Sequence, residues 1–314
     1  MNIGSFFKLV ELQTKVASMT PFFLGSIFVF FRYKQFKPEH FLFMLISLLS
    51  FDMATTAINN YIDNKKAKKT YGYGYESHNA IVRDNLKEST VIAVIVTLLT
   101  IAITFGIILY INTSPVVLVV GAISFAVGIL YSFGPIPISR MPLGEIFSGL
   151  LMGFVILFLA VYIHVVDLDI IMLSFSKGIL NMNIDLYELM LIFMVALPAT
   201  LGISNIMLAN NICDIEDDLA NKRYTLPIYI GKAKALSLFK SLYYIAYIDI
   251  AILLILNVLP LVVSPALLTI LPVKKNIDTF MALQSKKDTF VVGVKNFIII
   301  NAPLAILLVV SVFF

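Results

Sequence analysis

Apolar residues in this chain run in long, nearly unbroken blocks, without the short alternations of a protein that packs against water. Nine blocks read as helices: Val16–Phe31, Phe41–Ile58, Thr90–Ile111, Pro115–Phe133, Ile146–Val166, Leu186–Leu208, Leu236–Leu256, Val258–Val273 and Phe290–Phe314. Each approaches the roughly 20 residues that a bilayer crossing needs. Taken as one helix, Leu236–Val273 would be about 57 Å long at a rise of 1.5 Å per residue, nearly twice the hydrocarbon core. Asn257 and Pro260 supply a turn that divides it into two crossings. The pattern predicts an all-α polytopic membrane bundle of about nine helices, with residues 1–314 as a single transmembrane domain.

Composition excludes the soluble classes. Of the 314 residues, 60% are hydrophobic and only 13% are charged, and the mean hydropathy is +0.94. A soluble domain of this size needs far more polar surface to cover its core. The single cysteine, Cys213, rules out an internal disulfide framework. Met1–Glu11 carries Lys8 and lacks a small-residue cleavage site, so no cleavable signal peptide is expected. A net charge of +4 is too small to suggest nucleic acid, and nothing implies a protein partner. The placement of the charge matters more. With the N-terminus inside, 18 basic residues fall in inner segments, while only Arg32, Lys34, Lys37 and Lys177 fall outside and Lys240 lies within a helix. The positive-inside rule then predicts a multi-pass protein of the cell membrane with a cytoplasmic N-terminus. The outer loop between helices five and six is acidic, with Asp167, Asp169, Asp185 and Glu188.

Two inner loops, residues 59–87 and 210–234, concentrate the polar chemistry. Each opens on the same pattern, NNxxD: Asn59-Asn60-Tyr61-Ile62-Asp63 and Asn210-Asn211-Ile212-Cys213-Asp214. An apolar helix precedes both copies, as in membrane bundles built from internal repeats. The second copy continues through Glu216, Asp217 and Asp218. On a continuous helix, Asn210, Asp214 and Asp218 would share one face, and Asn59 and Asp63 stand one turn apart in the same way. Carboxylates one turn apart repel, so the cluster calls for a neutralising cation. Mg²⁺ suits it, since that ion takes oxygen ligands, keeps waters and typically binds through one or two carboxylates plus substrate phosphates. Lys65, Lys66, Lys68 and Lys69 after the first cluster, and Lys222 and Arg223 after the second, could take up the remaining phosphate charge. A plainer reading makes these lysines solvated topology signals and the asparagine pairs interhelical glue.

With these motifs the sequence resembles the UbiA superfamily of intramembrane prenyltransferases, over nearly the whole chain. Asp214 and Asp218 match that family's DxxxD motif, and Asn59 and Asp63 match two positions of its NDxxDxxxD motif. Asn60 stands where the family often has Asp, and Ala67 where its last Asp would be. The segments Gln13–Ser18, Phe133–Arg140 and Asn210–Gly231 are most similar to the branch that prenylates 1,4-dihydroxy-2-naphthoate. The resemblance implies transfer of a prenyl group from polyprenyl diphosphate to an aromatic acceptor within the lipid bilayer, with Mg²⁺ held by Asp63, Asp214, Asp218 and Asp217. It implies catalytic roles for Asn59, Asp63, Asp214 and Asp218, and loss of the ring carboxylate as carbon dioxide.

Lys15 and Arg140 are further candidates, for the acceptor carboxylate; Arg140 is the only basic residue among Pro135, Pro137 and Pro142. His78 and Arg83 lie in the first loop, and Tyr71–Tyr75 reads as a flexible aromatic segment or an interfacial anchor. Two rival readings stay open. One is a family member acting on another aromatic or a haem acceptor. The other is an ion-coupled secondary transporter, which would place its acids near the midplane, whereas these lie at the helix ends.

Overall fold

The computed structural model describes residues 1–66, 80–132, 137–176 and 178–313. Among them, seven helices are long and apolar enough to cross a membrane. The chain divides into two compact units, one of Met1–Met19 with Pro38–Pro137 and the other of Thr20–Lys37 with Ile138–Phe314.

The first unit holds α1 (Ile3–Leu9), the start of α2 (Val16–Tyr33), α3 (Pro38–Lys66), α4 (Ala80–Arg83), α5 (Glu88–Asn112) and α6 (Pro115–Ser132). α3 and α5 lie side by side: Ser47 Oγ donates to Ala102 O (2.7 Å), and a Cβ on Gly106 would come within 3.3 Å of that hydroxyl. Phe51 of α3 stacks on Phe125 of α6 with ring centroids 3.9 Å apart. At one end, Leu9, Ala57, Ala80, Ile81 and Val91 form a common apolar cluster that seats α1 and α4. The dominant polar element of this unit is Lys15, only 4% exposed. Its ammonium donates to Asp52 Oδ1 (2.6 Å), Thr56 Oγ1 (2.7 Å) and Asp52 O (3.2 Å).

The second unit carries the rest of α2, followed by α7 (Gly144–Ser148), a π-helical stretch (Gly149–Val155) and α8 (Ile156–Tyr162). Next come the strands β1 (Ile171–Ser176) and β2 (Ile179–Ile184), then α9 (Leu186–Cys213), α10 (Ile215–Ala220), α11 (Leu226–Ile230) and α12 (Lys232–Ile255). A 3-10 segment (Leu261–Thr269) leads into α13 (Ile270–Ala282), and α14 (Val291–Val310) ends the unit. α9 is the hub. The π-helical stretch meets it closely because glycine leaves room: a Cβ on Gly153 would lie 2.4 Å from Thr200 Cα, and one on Gly149 would lie 2.8 Å from Thr200 O. On another side, Ala199 and Ile203 of α9 enclose Phe297 of α14. Gly25 gives α2 the same intimacy with α8, where an added Cβ would stand 2.7 Å from Leu157 O.

The bundle agrees with the all-α reading, with instructive differences in detail. The expected eighth crossing is the 3-10 segment running into α13, whose helix continues past Val273 to Ala282. The expected fourth, α6, is apolar but short. Asn59 and Asp63 lie within α3, not in a loop, because no glycine or proline stops the helix before Lys66. The acidic loop after α8 contains a β-hairpin that apolar block counting did not register.

Candidate functional site

α9 ends where Asp214 leaves helical geometry, at φ −101° and ψ 10°. The one-turn hydrogen bonding nevertheless continues across the break, from Asp214 N to Asn210 O (3.1 Å) and from Asp218 N to Asp214 O (2.7 Å). Asn210 and Asp214 therefore stay in step. Asn210 Oδ1 and Asp214 Oδ2 accept from one and the same ammonium, that of Lys286 in the segment joining α13 to α14, with Asp214 at 2.5 Å.

Asp218 turns elsewhere. It is 4% exposed, accepts from Thr225 Oγ1 (3.1 Å), and faces Arg223 Nε at 3.4 Å. Burial pushes its carboxyl above the ordinary aspartate value, against the opposing pull of Arg223 and Thr225. The Arg223 guanidinium also donates to Ser139 O (3.2 Å), and Tyr224 N donates to Arg140 O (3.0 Å). The strand of chain after the acids is thus tied to the turn at residues 138–140. Arg223, expected to meet phosphate, is oriented toward Asp218 instead. Asp217, Lys222 and Arg140 are exposed.

The repeated NNxxD motif has a common internal logic. Asn211 is buried and donates its amide to Glu145 Oε1 (2.9 Å). Asn60 is also buried and donates to Leu9 O (2.9 Å) and Glu11 Oε1 (3.3 Å). In each copy the second asparagine braces its own unit against a glutamate, and the first asparagine and the aspartate share a different helical face. A residue one position along lies about 100° around the helix, so the two tasks do not interfere. Asn60, where the family often has Asp, therefore has a structural task. Asn59 is half-buried and Asp63 exposed. Lys65 pairs with Glu88 (2.8 Å), which also accepts from Tyr61 Oη (2.6 Å). Arg83 pairs with Asp84 (2.8 Å). The Lys66 side chain, Ala67, Lys68, Lys69, Tyr71–Tyr75, His78 and the segment 133–136 lie outside the described residues.

Lys15 corrects an expectation. An ammonium has three N–H donors, and Asp52 and Thr56 engage all three inside the first unit. Ser18 Oγ completes the cage by donating to Asp52 Oδ2 (2.5 Å). Lys15 is a buried structural cation with no donor left for an acceptor carboxylate.

Among the described residues, no three histidine, cysteine or carboxylate groups come together as a ready metal cage. Magnesium does not need one, because it keeps waters and takes the balance of its ligands from substrate phosphates. Asn210 and Asp214 already converge two oxygens on a single cationic centre, the Lys286 ammonium, and a donor set of that chemistry fits Mg²⁺. Sequence reasoning missed Lys286 as a candidate for the site. It stands 72 residues from Asp214, and no spacing rule connects them; its basic neighbourhood served only as a topology signal.

The sequence profile of the UbiA prenyltransferase family matches residues 18–288. The chain is 31% identical over 244 residues to the 1,4-dihydroxy-2-naphthoate octaprenyltransferase of Bacillus subtilis (strain 168), covering 77% of this chain and 70% of that one. Its fold is similar to a UbiA homologue from Aeropyrum pernix K1, with a TM-score of 0.69, 16% identity, and coverage of 94% of this chain and 98% of that one. A UbiA homologue from Archaeoglobus fulgidus bound to GPP and Mg²⁺ gives a TM-score of 0.67 at 13% identity, over 99% and 100% of the two chains. The helices, the paired motifs and these likenesses lead to one assignment: the chain belongs to the UbiA prenyltransferase family.

Proposed function

We propose that the chain transfers a polyprenyl group from polyprenyl diphosphate to 1,4-dihydroxy-2-naphthoate, releasing diphosphate and carbon dioxide and giving a demethylmenaquinone precursor. The observation that carries the acceptor is the 31% identity, over 77% of the chain, to the Bacillus subtilis enzyme named for that substrate. The donor end is supported by the Asn210–Asp214–Lys286 cluster at the end of α9.

Bound Mg²⁺ would neutralise the donor's diphosphate and favour its departure. Asp214 and Asn210 would hold the ion, and Asp218, buried one turn further on, would support it. Asp63, Asn59 and Asp217 enter the proposal on their motifs alone. Lys286 and Lys222 would take up phosphate charge, as would Lys65 and Lys66 on the first motif, and Arg140 would meet the acceptor carboxylate. The allylic C–O bond breaks with its electron pair leaving on diphosphate. The ring carbon bearing the carboxylate then forms the new C–C bond, and loss of carbon dioxide returns the electron pair to the ring. Apolar helix surface would shelter the prenyl cation from water.

The test is product analysis of purified protein with one donor and two acceptors, the naphthoate and 4-hydroxybenzoate. Prenylated naphthoate with release of carbon dioxide is expected. Turnover of the benzoate with none of the naphthoate would refute the acceptor while leaving the family untouched.

A further inference from the structure

At the end of α9 opposite Asp214, about 42 Å away along a 28-residue helix at 1.5 Å per residue, stands the β1–β2 hairpin. Its register pairs Ile171 with Ile184, Leu173 with Met182 and Phe175 with Leu180. Alternate residues of a strand point to opposite faces, so these six apolar residues make up one face of the ribbon. The opposite face carries Ser174, Asn181 and Asn183, with Met172 and Ile179 at its margins. Ile171 and Leu173 on this face are half-buried, but toward the tip it has little cover within the described residues: Phe175 is 75% exposed, Leu180 65% and Met182 60%. Neither strand holds a charged residue.

The base of the ribbon is tied to the ends of two helical segments that are long and apolar enough to cross a membrane. Tyr162 Oη, at the end of α8, donates to Ile171 O (2.8 Å), and Asp185 N donates to Ile170 O (2.9 Å). Asp185 follows β2 directly and caps α9 by accepting from Tyr187 N and Glu188 N. The hairpin base is therefore joined to α9 through Asp185 alone and tied to the end of α8 by the Tyr162 hydrogen bond, across the short segment 163–170. Directly after the hairpin, the first turns of α9 also expose the large apolar side chains of Leu186, Tyr187 and Met190. A lone two-stranded hairpin is marginal in water and needs a surface to pack on. Both strands also have an unpaired backbone edge, which excludes the hydrocarbon interior, where no water satisfies the N–H and C=O groups. A half-apolar ribbon with wet edges fits the boundary between head groups and acyl chains, as amphipathic helices do.

We propose that this hairpin is a lipid-binding element that lies on the bilayer, with Phe175, Leu180 and Met182 inserted at the head-group boundary and Ser174, Asn181 and Asn183 facing water.

The chain contains no tryptophan, so one introduced indole reports alone. Phe175→Trp, Leu180→Trp and Ser174→Trp proteins would be reconstituted separately in phosphatidylcholine vesicles, with or without lipids brominated along the acyl chain. The expected result is blue-shifted emission at 175 and 180, loss of most of its intensity with bromines near the head group, and resistance to aqueous acrylamide. The indole of the Ser174→Trp protein should show the reverse. Two variants on the apolar face guard against one of them misfolding. Acrylamide quenching at 175 and 180 equal to that at 174, with no effect of bromine, would overturn the proposal. Protection from both quenchers would overturn it too, assigning the face to a protein contact, such as a second copy of this chain.

Discussion

The Lys286 ammonium sits between two oxygens that the proposed reaction would give to a metal. Replacing it by glutamine should therefore act in opposite directions on two quantities. Affinity for Mn²⁺, read by electron spin resonance without donor, should rise, because a competing positive charge is gone. Affinity for the prenyl diphosphate should fall, read as a higher KM, because a phosphate partner is gone. A purely structural lysine would move neither. The aspartates make a second test. Asp214→Asn should abolish most turnover while leaving the thermal midpoint near that of the parent, since Asp214 lies at a helix end outside the packed core. Asp218→Asn should also lose turnover, yet fold at least as well as the parent at neutral pH. The sign follows from linkage: a carboxyl raised in the fold contributes stability below its unfolded value, and that contribution is lost as pH rises through the folded one. The neutral amide removes that loss. Normal turnover of both folded variants would sink the proposed site.

At the scale of elements, the π-helical stretch packs closely against the middle of α9. Gly153 faces Thr200 backbone so closely that any Cβ must push the two helices apart. Gly153→Val should cost about 1–3 kcal/mol as an overpacking change. A thermal melt in detergent would read this as a lower midpoint, and an unchanged midpoint would mean that the approach is looser than described. The Asn211–Glu145 bond joins α9 to α7, next to the same contact and near the motif. The glycines gave only weak sequence signals, because a glycine among apolar residues marks a close approach without naming what approaches.

At the scale of the molecule, the positive-inside rule applied to the basic residues leads us to propose that Asp63, Asp214 and Lys286 lie on the cytoplasmic side and Asp167 on the other. Single cysteines at these positions, in a Cys213→Ala background, should be labelled by an impermeant maleimide from one side only, with position 167 opposite to the rest. Labelling of positions 63 and 214 from opposite sides would refute this topology.

The sequence by itself determined the membrane bundle, the lengths of most crossings and the family. These depend on local quantities: blocks of apolar residues, the four-residue spacing of polar groups along a helix, and motifs read in order. It also singled out Asn210, Asp214 and Asp218, since a carboxylate cluster at a membrane-helix end is costly without a cation. Tertiary structure alone decided which partner each of those groups has. Lys15 reads as a free cation until Asp52, 37 residues away, surrounds it. Arg223 reads as a phosphate ligand until it turns to Asp218. Lys286 reads as a topology signal until the chain folds it onto Asp214. The hairpin escaped notice because two six-residue strands in an acidic loop are too short to register as apolar blocks. A charge in sequence has only a sign, and its partner is set by long-range packing that no spacing rule encodes.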